Sequence, residues 1–267
     1  YLSYIALSPD SSRVVYYQGG TLYSAPLTGG TSVPLNTGGF VYRRVDDVGF
    51  EIDAASSRVV YLSDQETSGL VELFSVPLTG GASVKLNGPL APGSPTWFDF
   101  ELSPDASRVV YFTDQDTTFF DELYSVPIAG GAAQKLSAGE GVYYYQVSPD
   151  SSHVVYLGIQ DGTYEMDSVP IDGGSPPTQL NEPLDPGVHV VRFEIAPDSA
   201  GVVYNTIQSA TPFRELYSVG IDGGVTTPLG GLFVADGDVA AIALSPDSSR
   251  VVYRADQDTN EIFELYS

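Results

Sequence analysis

Three loops in this sequence each carry two acidic residues separated by one position, a spacing that could bind a hard cation. One loop reads Asp-Gln-Glu-Thr and two read Asp-Gln-Asp-Thr. Ca²⁺ takes about six to eight oxygen ligands, so backbone carbonyls or water would have to complete each site. A hydrogen-bonded turn on an acidic rim is the alternative interpretation. The candidate metal ligands are Asp64, Glu66, Asp114, Asp116, Asp256 and Asp258.

Little else in the sequence points to catalysis or to a bound cofactor. There is no cysteine, and no serine or aspartate is placed by the sequence as a triad partner for His153 or His189. Glycine-rich phosphate loops, His-Glu-x-x-His and Gly-x-Ser-x-Gly are absent from the sequence. Without a pocket, the many carboxylates do not indicate a glycosidase. We therefore predict a non-catalytic protein, with Ca²⁺ as the one cofactor considered.

The charge balance restricts the class of partner. The chain has 11 basic and 34 acidic residues, which gives a formal net charge of -23. Such a field repels phosphate backbones and anionic headgroups, so binding to nucleic acid or to a membrane surface is disfavoured. No apolar run approaches the roughly 20 residues of a membrane span, so membrane insertion is not expected either. Proteins and cations remain as partners.

The acidic loops belong to a repeat, and a repeat of fixed period dictates the elements that position them. A segment close to Leu-Ser-Pro-Asp-Ser-Ser-Arg-Val-Val-Tyr occurs six times. A block close to Glu-Leu-Tyr-Ser-Val-Pro-Leu-Thr-Gly-Gly follows in five units, whereas the sixth stops at Ser267. The tyrosines that end the first segment are Tyr16, Tyr61, Tyr111, Tyr156, Tyr204 and Tyr253.

Each unit contains four short runs of β-branched and aromatic residues separated by turn sequences, which is typical of four antiparallel strands. Four strands in about 45 residues are typical of a propeller blade. We predict an all-β chain folded as a single domain, a six-bladed β-propeller of four-stranded antiparallel blades with the last blade incomplete. The predicted blades span about 1–37, 48–88, 97–138, 143–182, 190–230 and 239–267.

The order of motifs within each unit resembles a known repeat. Ser-Pro-Asp, a basic residue, Val-Val-Tyr, the Asp-Gln-Asp-Thr loop, Glu-Leu-Tyr-Ser-Val and Gly-Gly follow one another as in the WD40-like (PD40) repeats of TolB-like β-propellers. The resemblance covers essentially the whole chain. It implies six blades and a periplasmic or extracellular location in the cell envelope. Such propellers serve as docking platforms, as domains beside peptidases and as extracellular modules, so fold alone does not select a function.

Three repeated positions have a structural interpretation. In the Ser-Pro-Asp-Ser-Ser block, proline presets a turn and the polar side chains can bond backbone amides, although the second unit has Ala55 in the aspartate position. The basic residue after the turn is expected to pair with a carboxylate on the neighbouring blade. The fourth unit has Asp167 in an aromatic position, where a local opening is expected. Candidate partners of the basic residues are Glu51, Glu101 and Glu194.

The connections between blades vary most, so they are expected to carry the function. These connections and the loops between second and third strands emerge on one face of a four-stranded blade. Aromatic residues mixed with charges are typical of a recognition surface, and equally of loops folded over a central channel. The candidate residues of this face are Phe40, Tyr42, Arg43, Arg44, Asp46, Asp47, Trp97, Tyr143, Tyr144, His189, Arg192, Phe233, Asp236 and Asp238.

The sixth unit ends after its third strand, and three interpretations stay open. The segment could be excised from a longer chain, for which the repeat predicts Val-Pro-Leu-Thr-Gly-Gly directly after Ser267. The last blade could instead have three strands. Another molecule could also add a strand to the unpaired blade edge, which would build an assembly.

The leading hypothesis is a non-catalytic propeller of the bacterial envelope or extracellular space. It would bind a protein partner, or self-assemble, through the loop face or the unpaired edge. The first alternative is a module that binds a cation or a carbohydrate. The second is the propeller part of a larger peptidase-like enzyme whose catalytic residues lie in another domain.

Overall fold

The computed structural model describes residues 2–42, 49–90, 99–116, 120–139, 141–208, 211–229 and 238–267. Every regular element in these ranges is a β-strand, and every strand pair is antiparallel. No helix in the described ranges has the length and apolar character needed to cross a membrane. The chain divides into two compact units, Tyr1–Lys135 and Leu136–Ser267, so a single domain stays a prediction.

The first unit contains three sheets that follow one another along the chain. In the first and third sheets the strands lie in sequence order, so that every strand pairs with the next one along the chain. The inner strand of the second sheet consists of two pieces, β5 and β6, which both pair with β7. The strands are β1 (Leu2–Leu7), β2 (Arg13–Gln18), β3 (Thr21–Pro26), β4 (Val33–Pro34), β5 (Val41–Tyr42), β6 (Phe50–Ile52), β7 (Arg58–Ser63), β8 (Glu72–Pro77), β9 (Val84–Lys85), β10 (Asp99–Leu102), β11 (Arg108–Thr113), β12 (Glu122–Pro127) and β13 (Gln134–Lys135).

The second unit contains three further sheets with the same order of strands. The fourth and fifth sheets have four strands, and the sixth has three, which confirms the predicted incomplete last repeat. The strands are β14 (Gly141–Val147), β15 (His153–Gln160), β16 (Thr163–Pro170), β17 (Thr178–Gln179), β18 (Val188–Ile195), β19 (Gly201–Gln208), β20 (Thr211–Gly220), β21 (Thr227–Pro228), β22 (Val239–Leu244), β23 (Val251–Ala255) and β24 (Glu264–Tyr266).

The strands begin within a few residues of the predicted blade limits, with one larger difference. Inner strands β14 and β18 each begin two residues earlier than predicted, at Gly141 and Val188. The second sheet begins at Val41 rather than at 48. Its early start was missed because the Gly-Gly sequence before Phe40 indicates a loop, whereas Val41 pairs with Ser63 at the end of β7.

The repeated aromatic residues form a stacked pair within five of the six sheets, all but the fourth. The tyrosine of Val-Val-Tyr on the second strand lies directly opposite an aromatic residue on the third strand, as Tyr111 lies opposite Tyr124. Their ring centroids are 5.4 Å apart, a separation at which offset rings attract each other. Cross-strand aromatic pairs of this kind stabilise the pairing of the strands. The other stacked pairs are Tyr16–Tyr23, Tyr61–Phe74, Tyr204–Tyr217 and Tyr253–Tyr266.

Within each unit, the cores lie between consecutive sheets. Val76 and Leu78, at the end of the third strand, pack with the apolar residues of the first sheet, and both are at most 1% exposed. Val126 and Ile128 pack in the same way on the second sheet. Burying one such side chain stabilises the fold by about 1.5 to 3 kcal/mol. The repeat is therefore a packing unit that needs the neighbouring sheet.

The Ser-Pro-Asp turn is held by its own side chains. In the first sheet, the Ser8 hydroxyl donates to Asp10 Oδ1 at 2.6 Å, and the Arg13 N–H donates to Ser8 Oγ at 2.9 Å. The second sheet reaches the same result with a different residue, because Asp53 replaces the serine. Its carboxylate accepts the N–H groups of Ser57 and Arg58 at 2.6 and 2.9 Å. The loss of the aspartate at Ala55 is therefore compensated two positions earlier.

In three of the sheets, a serine in the turn also ties it to the turn of the preceding sheet. The N–H of Asp10 donates to Ser56 Oγ at 3.0 Å, and the N–H of Asp150 donates to Ser199 Oγ at the same distance. A third tie joins Asp198 to Ser248. The third sheet has Ala106 in the serine position, with a positive φ of 61° like its counterparts. The third sheet therefore has no hydroxyl that could accept a hydrogen bond from the N–H of Ala55, the residue in the position of Asp10.

We expect Ala106→Ser to stabilise the protein by about 0.5 to 1 kcal/mol, because it supplies the missing acceptor at a position where serine is already used. Thermal unfolding measures the change. Ala106→Gly is the matched control, since it relieves the positive φ without adding a hydroxyl. A serine variant no more stable than the alanine parent would contradict the proposed tie.

Candidate recognition surface

The basic residue after the turn binds a serine on its own sheet. Arg13 Nε donates to Ser24 Oγ at 2.7 Å, and Arg58 Nε does the same to Ser75 Oγ. Arg108 and Ser125 repeat this geometry. The sequence analysis missed this partner, although the serine of Leu-Tyr-Ser-Val recurs in every unit. Register explains the contact, because this serine lies opposite the residue two positions after the arginine.

The carboxylate of Glu194 pairs within its own strand rather than with an arginine on another sheet. Arg192 Nη2 donates to Glu194 Oε1 at 2.7 Å, and the two residues are separated by one position on β18. Residues two apart on a strand point to the same face, which brings their side chains together. The partner that the structure gives Glu194 is thus Arg192, which is not one of the repeated basic residues.

His153 has the two partners that the sequence did not indicate. Ser152 Oγ lies 2.8 Å from Nδ1, and Asp222 Oδ1 lies 3.3 Å from Nε2. However, the Ser152 hydroxyl donates to Asp150 Oδ1 at 2.7 Å, and the side chain of Asp222 is 83% exposed. A catalytic serine must instead give its proton to the histidine, which a buried aspartate orients. The arrangement is that of a hydrogen-bonded surface turn.

The first aspartate of the acidic loop of the second sheet is a structural anchor. Asp64 is 5% exposed. Its Oδ1 accepts the N–H of Phe40 at 2.6 Å, and its Oδ2 accepts the N–H of Gly69 at 2.8 Å and the hydroxyl of Tyr42 at 3.1 Å. Bonds from Gly69 and Phe40 lower the pKa of Asp64. The carboxylate thus fastens its own loop to the connection that precedes the sheet.

The sixth sheet repeats this anchor. Asp256 is 2% exposed, and its two oxygens accept the N–H groups of Asp238 and Glu261. Burial raises the pKa of Asp256, but the two backbone bonds outweigh burial and hold this pKa below its usual value. Asp238, a candidate of the binding face, therefore contributes through its backbone N–H to this anchor. Asp114, in the corresponding position of the third sheet, is likewise buried, at 1% exposure.

The second acidic residue of each loop is exposed and makes other contacts. Glu66 pairs with Lys85 at 2.8 Å and Asp116 pairs with Lys135 at 3.3 Å, whereas Asp258 accepts the Tyr266 hydroxyl at 3.2 Å. The described ranges contain no group of three or more acidic or histidine side chains that could hold a metal ion. Ca²⁺ binding stays a prediction. The burial of Asp64 and Asp256 is explained by the hydrogen bonds that their carboxylates accept from backbone N–H groups.

The fourth and fifth sheets bring together an exposed group of rings, which we name the aromatic cluster: Tyr143, Tyr164 and His189. The ring centroids of Tyr143 and Tyr164 are 5.3 Å apart, and those of Tyr164 and His189 are 5.6 Å apart. The N–H of Tyr164 also donates to His189 Nδ1 at 3.3 Å. Tyr143 is 65% exposed. Sequence analysis predicted Tyr143 and His189 but missed Tyr164, which joins them.

Backbone geometry explains why these rings reach the surface together. Tyr143 is the additional residue of a bulge, because the pairing of β14 with β15 skips from Val142 to Tyr144. A bulge redirects a side chain away from the regular alternation. Tyr164 follows the tight turn at Asp161 and Gly162, both with positive φ, as a two-residue hairpin requires.

Two further candidates lie beside the cluster. The Tyr144 ring packs on Phe193 with centroids 5.3 Å apart, and its hydroxyl accepts a bond from Gln146 at 2.7 Å. Arg192 is half exposed.

In the first unit, Phe40 is 64% exposed and Tyr42 is half-buried. The remaining candidates lie outside the described residues: Arg43, Arg44, Asp46, Asp47, Trp97, Phe233 and Asp236.

Asp167 replaces the aromatic residue that faces the tyrosine in the other sheets. It lies opposite Tyr156, which is 0% exposed. Burial raises the pKa of Asp167 to about 6, and the nearby charge of Glu165 adds to this effect. A carboxylate in this position destabilises the fold at neutral pH, because the unfolded chain ionises it at no such cost.

We expect Asp167→Asn to stabilise the protein at pH 7 by about 2 kcal/mol, an amount reduced from the full shift because the side chain is partly exposed. In the parent, the folded state takes up the Asp167 proton below pH 6 and the unfolded state only below 3.8. This group therefore makes the parent more stable as pH falls from 6 towards 4. Denaturant unfolding across this range tests the prediction, which fails if the two proteins show the same pH dependence.

The geometry of the six sheets agrees with solved structures. Dipeptidyl peptidase 4 of Porphyromonas gingivalis matches with a TM-score of 0.69 at 11% identity, over 95% of this chain and 41% of that chain. The fold is a β-propeller, and the sheets are its blades. Oligogalacturonate lyase of Vibrio parahaemolyticus matches with a TM-score of 0.56 at 15% identity, over 93% of this chain and 68% of the lyase.

TolB of Acinetobacter baumannii matches with a TM-score of 0.44 at 13% identity, over 83% of this chain and 52% of that chain. No family model and no curated protein matches the sequence. The structural similarity to the peptidase and to the lyase confirms the predicted β-propeller fold. At such identities it shows the fold alone, because propellers with unrelated functions share this architecture.

Proposed function

We propose that this propeller is a non-catalytic module that binds a protein partner through the aromatic cluster. The supporting observation is the series of ring contacts from the exposed Tyr143 through Tyr164 to His189, of which the last two are half-buried. Tyrosine is enriched among the residues that dominate binding energy at protein interfaces, because its ring offers a large apolar area and its hydroxyl a polar contact. The resemblance to TolB-like repeats supports a periplasmic or extracellular location.

The experiment is a selection of displayed random peptides on the full chain. Peptides that bind through the aromatic cluster should lose at least about tenfold in affinity for Tyr143→Ser, which removes an exposed ring without opening a core. Leu27→Ser is the matched control, since Leu27 is 46% exposed and lies in the other unit. If no selected peptide distinguishes Tyr143→Ser from the parent, protein binding at this cluster is excluded.

Three further measurements distinguish the alternative functions. A glycan array tests for a carbohydrate module, because exposed tyrosine rings also stack on sugars. Calorimetry with Ca²⁺ tests the acidic loops independently of the rings. The propeller of a larger enzyme is the remaining alternative, since this chain matches 41% of the length of a peptidase. The full reading frame of the parent gene distinguishes it.

A further inference from the structure

A small acidic pocket lies where the connection from the fourth blade meets the fifth blade. Its volume is 180 Å³. This is several times the roughly 30 Å³ of one water molecule and less than the roughly 300 Å³ at which drug-sized sites begin. Its wall includes the carboxylates of Glu182, Asp185 and Glu215, and the wall residues that the structure describes include no lysine, arginine or histidine. The pocket therefore favours a small cation.

Two other blades show what a glutamate in the position of Glu215 binds. In the third blade, Glu122 pairs with Lys135, whose Nζ lies 3.3 Å from Oε1. In the second blade, Glu72 pairs with Lys85 at 3.0 Å. Each lysine lies on the fourth strand, opposite the aromatic residue of the third strand. An ammonium group is thus the partner of this glutamate in two blades.

The fifth blade keeps the glutamate and lacks the lysine. Glu215 lies opposite Thr206 in the ladder, as the glutamates of the second and third blades lie opposite Ser63 and Thr113. The lysine position, opposite Tyr217, is occupied by Pro228. The fourth strand of this blade therefore supplies no ammonium group to the glutamate.

The carboxylate of Glu215 has the orientation that binds an ammonium group in the third blade. There, the Tyr124 hydroxyl donates to Glu122 Oε2, and Oε1 binds the lysine. In the fifth blade, the Tyr217 hydroxyl donates to Glu215 Oε2 in the same way. The second oxygen of Glu215 therefore takes the place of the oxygen that binds Lys135.

The ring of Tyr217 and the charge of Glu182 complete the surroundings of a cation. In the third blade, Lys135 Nζ lies 6.0 Å from the centroid of the Tyr124 ring, a distance at which a ring face attracts a cation. Tyr217 occupies the same position and lines the pocket. Burial raises the pKa of Tyr217, and so do its hydrogen bond to Glu215 and the charges of Glu215 and Glu182. Two carboxylates thus act on one ring.

We propose that this pocket binds a primary alkylammonium group, which a lysine side chain of a protein or a free aliphatic amine would supply. The nitrogen donates to Glu215 and Glu182, and the alkyl chain lies against Tyr217. An organic ammonium is favoured over a metal ion, because the described residues contain no group of three or more acidic or histidine side chains that could hold one. The net charge of -23 attracts cations at long range.

The test is an NMR titration of the full chain with butylamine, which reproduces the lysine side chain from Cβ onwards. Butylamine should bind saturably, and its neutral analogue 1-butanol should bind at least about tenfold more weakly. Sodium chloride at matched ionic strength is the control for screening. Nα-acetyl-lysine methylamide distinguishes the two sources. Binding at least as tight as that of butylamine indicates a lysine side chain, and weaker binding indicates a free amine.

Two variants, each with a matched control, locate the site. Glu215→Gln should weaken butylamine binding at least about fivefold, because it removes one charge pair. Glu264→Gln should have no effect, since Glu264 is the corresponding residue of the sixth blade and does not line the pocket. Pro228→Lys should weaken binding at least about tenfold, because it introduces the lysine of the second and third blades. Pro228→Ala, which adds no charge, should bind as the parent does.

The side chains of Glu215 and Pro228 are exposed, so their substitution opens no core. The proposal is overturned if butylamine does not bind, if 1-butanol binds as tightly, or if sodium chloride causes the same spectral changes. It is also overturned if Glu215→Gln or Pro228→Lys binds butylamine as tightly as the parent, or if Pro228→Ala loses as much affinity as Pro228→Lys. Peptide binding at Tyr143 is measured separately, so either proposal can fail alone.

Discussion

Asp53→Ala is expected to lower the free energy of unfolding by about 2 to 4 kcal/mol, a large effect for one turn residue. Asp53 is 0% exposed, and its carboxylate accepts bonds from the N–H groups of Ser57 and Arg58 and from the Ser57 hydroxyl. Alanine leaves these donors without their acceptor at a buried site. Denaturant unfolding followed by circular dichroism measures the loss.

A paired variant makes this prediction specific. The first blade holds its turn with Ser8 and Asp10, whereas the second uses Asp53 and has Ala55. The double variant Asp53→Ser/Ala55→Asp recreates the arrangement of the first blade and should recover most of the lost stability. Asp53→Ser alone should not recover the stability. It removes the carboxylate of Asp53 and does not supply the one that Asp10 provides in the first blade. Equal stability of the single and double serine variants would refute the compensation.

Raising the pH above 10 is expected to unfold the protein cooperatively. Burial raises the pKa of Tyr61 to about 12, and it raises those of Tyr111 and Tyr156 further. The unfolded tyrosines release their protons near pH 10, so the folded state binds more protons above that pH. The stability contributed by each tyrosine is complete below pH 10 and is lost as the pH rises through its folded pKa.

The magnitude is large because burial raises the pKa of the corresponding tyrosine in each of the second to sixth blades. For Tyr61 alone, a shift from 10 to about 12 corresponds to about 2.5 kcal/mol. Absorbance of tyrosinate and circular dichroism should change together, since buried rings ionise only when the blades separate. Tyr61→Phe is the control. Phe74 shows that this aromatic stack accepts phenylalanine, and the variant has no hydroxyl to ionise. It should therefore reduce the pH slope of stability by one proton. Ionisation of these tyrosines well before unfolding would contradict the prediction.

The two proposed sites differ in how they arise from the repeat. The aromatic cluster is built from residues that vary on the surface, and it is bounded by a bulge at Tyr143 and a short hairpin at Asp161. The acidic pocket keeps the glutamate of the repeat and has Pro228 where two other blades have lysine. Positions that depart from a repeat are therefore as informative about function as the loops.

The sequence predicts only some of the residues that form the candidate sites. The sequence predicts Tyr143 and His189 because they lie at the variable connections between blades, where aromatic residues are mixed with charges. Tyr164 was missed because a tyrosine in a strand is the ordinary expectation for a β-protein. Asp64 and Asp256 were taken as candidate cation ligands, but their oxygens accept backbone N–H groups of residues that are distant in sequence, such as Phe40 and Asp238.

The amino-acid sequence by itself determined the repeat, the four strands of each complete unit and the turns, because turn residues and alternating strands act over a few positions. It also determined the propeller, since such sheets bury both faces only against one another. The tertiary structure alone decided which side chains meet across strands and blades. Those meetings depend on register and bulges, where a shift of one residue exchanges the two faces of a strand. The contact of Tyr164 with His189 follows from that register.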